Sequence, residues 1–334
     1  MMPVRTTHPV PSASGRRPGR TPVSGNIRLV AAWLLLLSYF YMIPVEFSAL
    51  QWEKTGEGLW RITQGQSADP VFLIQYLLWM FLTFIGALMF IGAGFANGFS
   101  YERKGKEGPL TGGDLAYYFA WVQVSTVGFF IPYYAITEKD GWLSALAPYL
   151  PHAFMLGLAL VLFRRCLPRL GFQVPPLRRW IGMMFAAAAG YLFVYYLLDP
   201  LVTEPVGRLF SLEMQSWRED SISGGIHQAV DLGWIYVVGQ LLLIGVIGPA
   251  AEEVVFRGLL MGFLVKRLGV VASVILSSVV FALFHVDVVF LAPLFVMGLI
   301  LGSLYVFFRN LWAPVLFHIV NNVLSVVFDL LGSS

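Results

Sequence analysis

Charge is scarce in this chain: Asp, Glu, Lys and Arg make up 12% of its 334 residues, against roughly 25% in ordinary soluble domains. Hydrophobic residues make up 57% and the mean hydropathy is +0.73. That balance excludes a soluble globular domain and points to a polytopic membrane protein. Cysteine is nearly absent. The single Cys166 allows no internal disulfide and ties the fold to no oxidising compartment. There is no Gly-rich phosphate loop, no CxxC pair, no HExxH and no repeat of about 20–50 residues. The net charge of +3 is not gathered on a basic-aromatic face, so nucleic acid is not an expected partner; the lipid bilayer is.

What is present is a series of apolar runs, each near the roughly 20 residues needed to cross about 30 Å of hydrocarbon. They fall at about 29–50, 71–95, 115–136, 143–163, 181–199, 234–261, 269–285, 288–308 and 312–331. The expected fold class is all-α, with about eight to nine transmembrane helices and the functional core in the last four. Residues 1–27, rich in Pro, Ser, Gly and Arg, are expected to form a disordered basic arm rather than a cleavable signal peptide. Residues 28–199 form an N-terminal membrane region of about five spans, 200–233 an interfacial amphipathic segment, and 234–331 a four-helix core. A lid over a pocket is the sharper reading of 200–233. Lys and Arg concentrate in alternate loops, including Arg103, Lys104, Arg164, Arg165, Arg178, Arg179, Lys266, Arg267 and Arg309. Nine spans with a cytoplasmic N-terminus satisfy that asymmetry, and a bacterial inner membrane is the expected location.

One stretch stands against the apolar background: Glu252-Glu253-Val254-Val255-Phe256-Arg257. A charge at the centre of a spanning helix costs roughly 2.5–3.5 kcal/mol even on permissive scales, and such groups are usually functional. On a helix, Glu253 and Arg257 are four apart and pair on one face, while Glu252 is turned about 100° away. The alternative is a helix end whose charges reach into the headgroups; the arginine-rich loops place the pair toward the cytoplasmic end of its run. Two further polar sets follow. Phe281 and His285 are one turn apart at the end of the next run, and His318 and Asn322 share a face of the last, with Asn321 turned aside. Packing roles are open for each of these. Together, a carboxylate and an imidazole converging on one water make a general base, and an imidazole and a carboxamide can donate to a developing oxyanion.

The sequences EEVVFR, FALFH and HIVNN resemble the EExxxR, FxxxH and HxxxN motifs of the CPBP family, the CAAX-protease and bacteriocin-processing intramembrane proteases. The likeness spans about residues 234–325 and includes Phe295, Gly298, Gly302, Tyr305, Leu311, Trp312 and Pro314. Gly298 and Gly302 also form a GxxxG, which lets two helix backbones approach. The first 200 residues receive no function from the resemblance.

It implies an intramembrane endopeptidase acting on a peptide or lipid-modified, possibly prenylated, protein presented from the cytoplasmic side. Glu252 would be the base, His285 its partner, His318 and Asn322 the oxyanion donors, and Glu253 and Arg257 the support. The resemblance fixes no cofactor and leaves metal dependence open. A His₂Glu zinc site from Glu252, His285 and His318 is the alternative reading. Two other classes stay open: a non-proteolytic scaffold or bacteriocin-immunity-type peptide binder, and a proton-coupled transporter using Glu252 and Glu253.

Overall fold

The computed structural model describes residues 22–65, 69–97, 99, 110–136, 143 and 146–332. Most of the expected basic arm, together with Arg103, Lys104, Lys106 and Lys139, lies outside the described residues. The helices are α1 (Pro22–Ser48), α2 (Pro70–Asn97), α3 (Gly112–Ile136), α4 (Leu150–Leu162), α5 (Leu177–Phe210), α6 (Trp217–Leu232), α7 (Trp234–Leu268), α8 (Val270–Phe284), α9 (Leu291–Phe308) and α10 (Trp312–Gly332). Among the described residues, seven helices are long and apolar enough to cross a membrane; the apolar helices Ala147–Leu162 and Val270–Phe284 are shorter. The molecule is an all-α polytopic membrane protein, with one small exception. An antiparallel hairpin of β1 (Leu50–Lys54) and β2 (Trp60–Gln64) joins α1 to α2.

Three boundaries differ from the sequence expectation. The arm ends earlier than residue 27, because α1 starts at Pro22, a residue whose fixed φ suits a first helical turn. The preceding apolar run also continues into the segment expected to be interfacial. Helix α5 reaches Phe210, carried past Pro200 by π-helical turns over Val194–Thr203, which absorb the lost backbone donor. Only α6 remains as a separate helix there, its N-cap Ser216 accepting from the Glu219 amide. Finally, α7 runs on to Leu268, so in a helix of 35 residues the two glutamates lie near the middle rather than toward one end.

The packing explains why polar groups on α7, α8 and α10 meet. A Cβ at Gly298 would stand 2.9 Å from Ser278 Cα, and one at Gly302 would stand 3.0 Å from Val274 Cγ1. The GxxxG of α9 is thus the surface on which α8 rests. A Cβ at Gly245 would lie 2.9 Å from Val323 Cγ2, so α7 and α10 approach closely just before the glutamates. Phe281, Phe317, Leu301 and Leu311 are fully buried between these helices.

The two ends of the bundle are unlike. At one, the Leu311 amide donates to Gly171 O at 2.9 Å and Asn310 Nδ2 to Gln173 O at 2.8 Å. This ties together the loops that carry Arg164, Arg165, Arg169 and Arg309. At the other, the hairpin holds the segment before α6: the Trp60 amide donates to Ser211 O at 2.7 Å and the Glu213 amide to Trp60 O at 2.9 Å. Arg61 forks onto Glu213, with Nη2 2.8 Å from Oε1.

Candidate active site

Helix α7 presents its two carboxylates differently. Glu253 is fully buried, and its Oε1 accepts from Arg257 Nη1 at 2.8 Å and from His318 Nδ1 at 2.9 Å. Arg257, also fully buried, donates from Nη2 to Gly298 O at 3.2 Å and lies 4.6 Å over the Phe281 ring. The close approach enabled by Gly298 therefore also supplies a carbonyl for the guanidinium. Taking two charges out of water is expensive unless both are hydrogen-bonded, and here the pair is held by three helices. The segment that carries Arg257, Val254–Met261, is π-helical, as is Leu243–Ile247 before the glutamates. Such turns recur at functional sites because they re-aim side chains.

Glu252 faces the other way, into a cavity of about 680 Å³ lined also by His285, His318, Asn321 and Asn322. Its Oε2 lies 3.8 Å from His318 Nε2 and makes no hydrogen bond within the protein. His285, at the C-cap of α8, binds Phe281 O through Nδ1 at 2.8 Å. Because a carbonyl oxygen only accepts, Nδ1 carries the hydrogen, and in the neutral ring Nε2 is a bare acceptor. The same logic applies to His318, whose Nδ1–H points at a carboxylate. Asn322 Nδ2 donates to Ile244 O at 3.3 Å and has a second hydrogen to give. Asn321 is not turned aside: it lines the cavity and donates to Asn322 Oδ1 at 3.3 Å.

Phe281 is the hub of this arrangement. Its ring centroid is 4.7 Å from that of His285 and 5.9 Å from that of His318, and it carries the Arg257 guanidinium on its face. The backbone beyond it is strained. Val286 has φ +50°, a genuine outlier for a β-branched residue. Its buried side chain packs with Leu50 and Ile62 of the hairpin and with Leu212, burial that offsets the strain. Ser216 bonds Asp287, whose Oδ1 accepts from the Phe290 amide at 3.1 Å, and Arg218 Nη1 donates to His285 O at 3.1 Å. Hairpin and α6 thus clamp the turn bearing His285.

Two features were missed from the sequence. His152 on α4 places Nε2 3.4 Å from Glu252 Oε1, so the N-terminal half does contribute to the cavity. The signal was there, a histidine within an apolar run, but its partner lies 100 residues away in sequence. The second is the acidic outer wall: Asp199, Glu219, Asp287 and Asp329 all line the cavity. Burial, and then the carboxylates of Asp220, Asp287, Asp199 and Asp329, push Glu219 above the usual carboxylate range. As for zinc, among the described residues no group of three or more His, Cys, Asp or Glu side chains is arranged to hold a metal ion. Glu252, His285 and His318 share a cavity without forming a ligand set.

Residues 234–324 match the family model described as Type II CAAX prenyl endopeptidase Rce1-like. The match covers less than half of the chain. It begins with α7 and ends within α10, and it carries the seven residues singled out by the motifs, Glu252, Glu253, Arg257, Phe281, His285, His318 and Asn322. The segment is similar to part of the membrane-embedded CAAX protease MroQ of Staphylococcus aureus (strain USA300), 37% identical over 98 residues, covering 28% of this chain and 40% of that protein. It is also similar to part of the putative membrane peptidase YdiL of Bacillus subtilis (strain 168), 28% identical over 91 residues, covering 27% of this chain and 37% of that protein. The matched region thus spans well under half the length of either relative. No solved structure matches. His152, the hairpin and α6 all lie outside the matched segment.

Proposed function

We propose that the protein is an intramembrane endopeptidase of the CAAX type, hydrolysing a peptide bond with water activated by Glu252. The observation that carries this reading is the unpartnered Oε2 of Glu252, facing a cavity shared with His285, His318 and Asn322. A water held between Glu252 Oε2 and His285 Nε2 gives its proton to the carboxylate, and the hydroxide adds to the carbonyl carbon. The oxyanion is met by Asn322 Nδ2–H and by Nε2–H of a protonated His318. The tetrahedral intermediate collapses as the C–N bond breaks and the protonated Glu252 returns its proton to the leaving amine. The products are a carboxylic acid and an amine, which ionise to a carboxylate and an ammonium, and no step passes through a metal.

Peptides or lipid-modified proteins, prenylated ones included, are the substrates this reading expects. The arginine-rich end and the N-terminus face the cytoplasm, in keeping with the lysine and arginine bias, and a bacterial inner membrane is the setting. The cavity runs from Glu252 and His318 toward Ser216, Glu219 and Asp329, near the hairpin end. On that orientation the cavity leads away from the arginine-rich loops, which favours substrate presentation from that side over the cytoplasmic side.

The test uses purified full-length protein in liposomes with a quenched fluorogenic peptide ending in a prenylated CAAX sequence, and its unprenylated counterpart. Cleavage lost in His285→Ala and Asn322→Ala supports the assignment. Binding of either peptide with no turnover by wild-type protein favours a non-proteolytic peptide binder instead.

A further inference from the structure

We infer that His152, on α4 and outside the matched segment, is a positioning residue for Glu252; this rests on the proteolytic reading above. Glu252 stands between two imidazoles, His152 Nε2 at 3.4 Å from Oε1 and His318 Nε2 at 3.8 Å from Oε2. The division of labour follows from the two oxygens. Oε1 faces a ring whose side chain is 27% exposed and lines the cavity wall. Oε2 has no hydrogen bond within the protein and is the oxygen left for water.

A glutamate has three rotatable side-chain bonds, and a carboxylate tethered at one oxygen presents the other in a fixed direction. A donor on Oε1 therefore selects the rotamer in which Oε2 stands toward His318 in the shared cavity. Displacements of about 1 Å in such a group cost about 100-fold in rate. Glu253 does the equivalent for His318 from within the segment; His152 does it for Glu252 from α4. The N-terminal membrane region is thus part of the catalytic apparatus and not only its scaffold.

The experiment compares wild-type protein with His152→Phe, which keeps a ring of similar size but no donor, and His152→Gln, which restores an N–H. All are full-length, in liposomes, with the fluorogenic CAAX peptides. His152→Phe is expected to lower kcat about tenfold or more with KM unchanged, and His152→Gln to recover most of that loss. A merely space-filling role would leave Phe active, and a merely structural one would move KM and thermal stability together with kcat.

A second arm needs no activity. In a Cys166→Ser background, His152→Cys with Glu252→Cys is treated with an ethylene-linked bis-methanethiosulfonate. The two cysteines are expected to cross-link, as read by mass spectrometry after digestion. Full kcat in His152→Phe overturns the proposal, as does absence of the cross-link. A cross-link in the double-cysteine variant, together with wild-type protein that cleaves neither peptide, upholds the pairing and counts against the proteolytic reading alone.

Discussion

His318 donates Nδ1–H to Glu253 Oε1 at 2.9 Å, and this bond decides how the rest of the site is oriented. It fixes which face of the imidazole looks into the cavity and turns Nε2 toward Glu252. Since the same oxygen also accepts from Arg257, the buried ion pair and the His318 ring form one network. A change in any member reaches the other two.

Removing Arg257 alone leaves the buried Glu253 carboxylate without its guanidinium among α7, α9 and α10. Arg257→Met is expected to destabilise the protein by about 3–5 kcal/mol, measured as the midpoint of thermal unfolding in detergent. The double variant Glu253→Gln with Arg257→Met should recover most of that loss while remaining inactive, because His318 loses its carboxylate partner.

The seam between α8 and α9 is set by glycine. A side chain at Gly298 meets Ser278 backbone at 2.9 Å, closer than the two helices can accommodate without moving. Gly298→Val is expected to cost about 1–3 kcal/mol as an overpacked contact and to lower kcat by moving the Gly298 carbonyl off Arg257. Gly332→Ala, where a Cβ meets nothing within 4 Å, serves as the silent control in the same melting assay.

The Val286 turn predicts an opposite split. Val286→Gly removes a strain on the order of 1–3 kcal/mol and at the same time a side chain buried against Leu50, Ile62 and Leu212. Its thermal midpoint is expected to stay near wild type. Its kcat should fall, because the turn that carries His285 is no longer clamped. Peptide-resolved hydrogen exchange over residues 283–290 checks this and should show faster exchange in the variant.

The raised Glu219 gives a pH-dependent outcome. Its fold-state carboxyl is held above the unfolded range by burial and by its carboxylate neighbours, so the fold favours the protonated form. Its contribution to stability is largest below the unfolded carboxylate range and declines as pH rises through the raised value. Glu219→Gln is therefore expected to be more stable than wild type at neutral pH, the gap closing in acid. Unfolding midpoints across pH 4–8 measure it.

Much of this was legible in the residues themselves. The four-residue spacing of Glu253 and Arg257 announced their pairing, and the spacing of Gly298 and Gly302 announced a close helix contact, because both depend only on helical periodicity. The nine apolar runs correspond one by one to helices. The hairpin was readable in principle, with β-formers in Leu50–Lys54 and Trp60–Gln64 flanking a turn that contains Gly56 and Gly58. It fell below notice in a search for spans. The π-helical turns of α5 and α7 leave no sequence period of their own. His152 reaches Glu252 only through the packing of α4 on α7, and Asn321 enters the cavity although its neighbour Asn322 is the one that matches the motif. Those contacts belong to tertiary structure, where local pattern says nothing.

The most direct test of the whole account is the turnover of Glu252→Gln. That change keeps the size of the side chain and its contact with His152 while removing the base. The account predicts no detectable cleavage of the fluorogenic CAAX peptides by a variant whose yield and unfolding midpoint match wild type. Cleavage at the wild-type rate by that folded variant would contradict it.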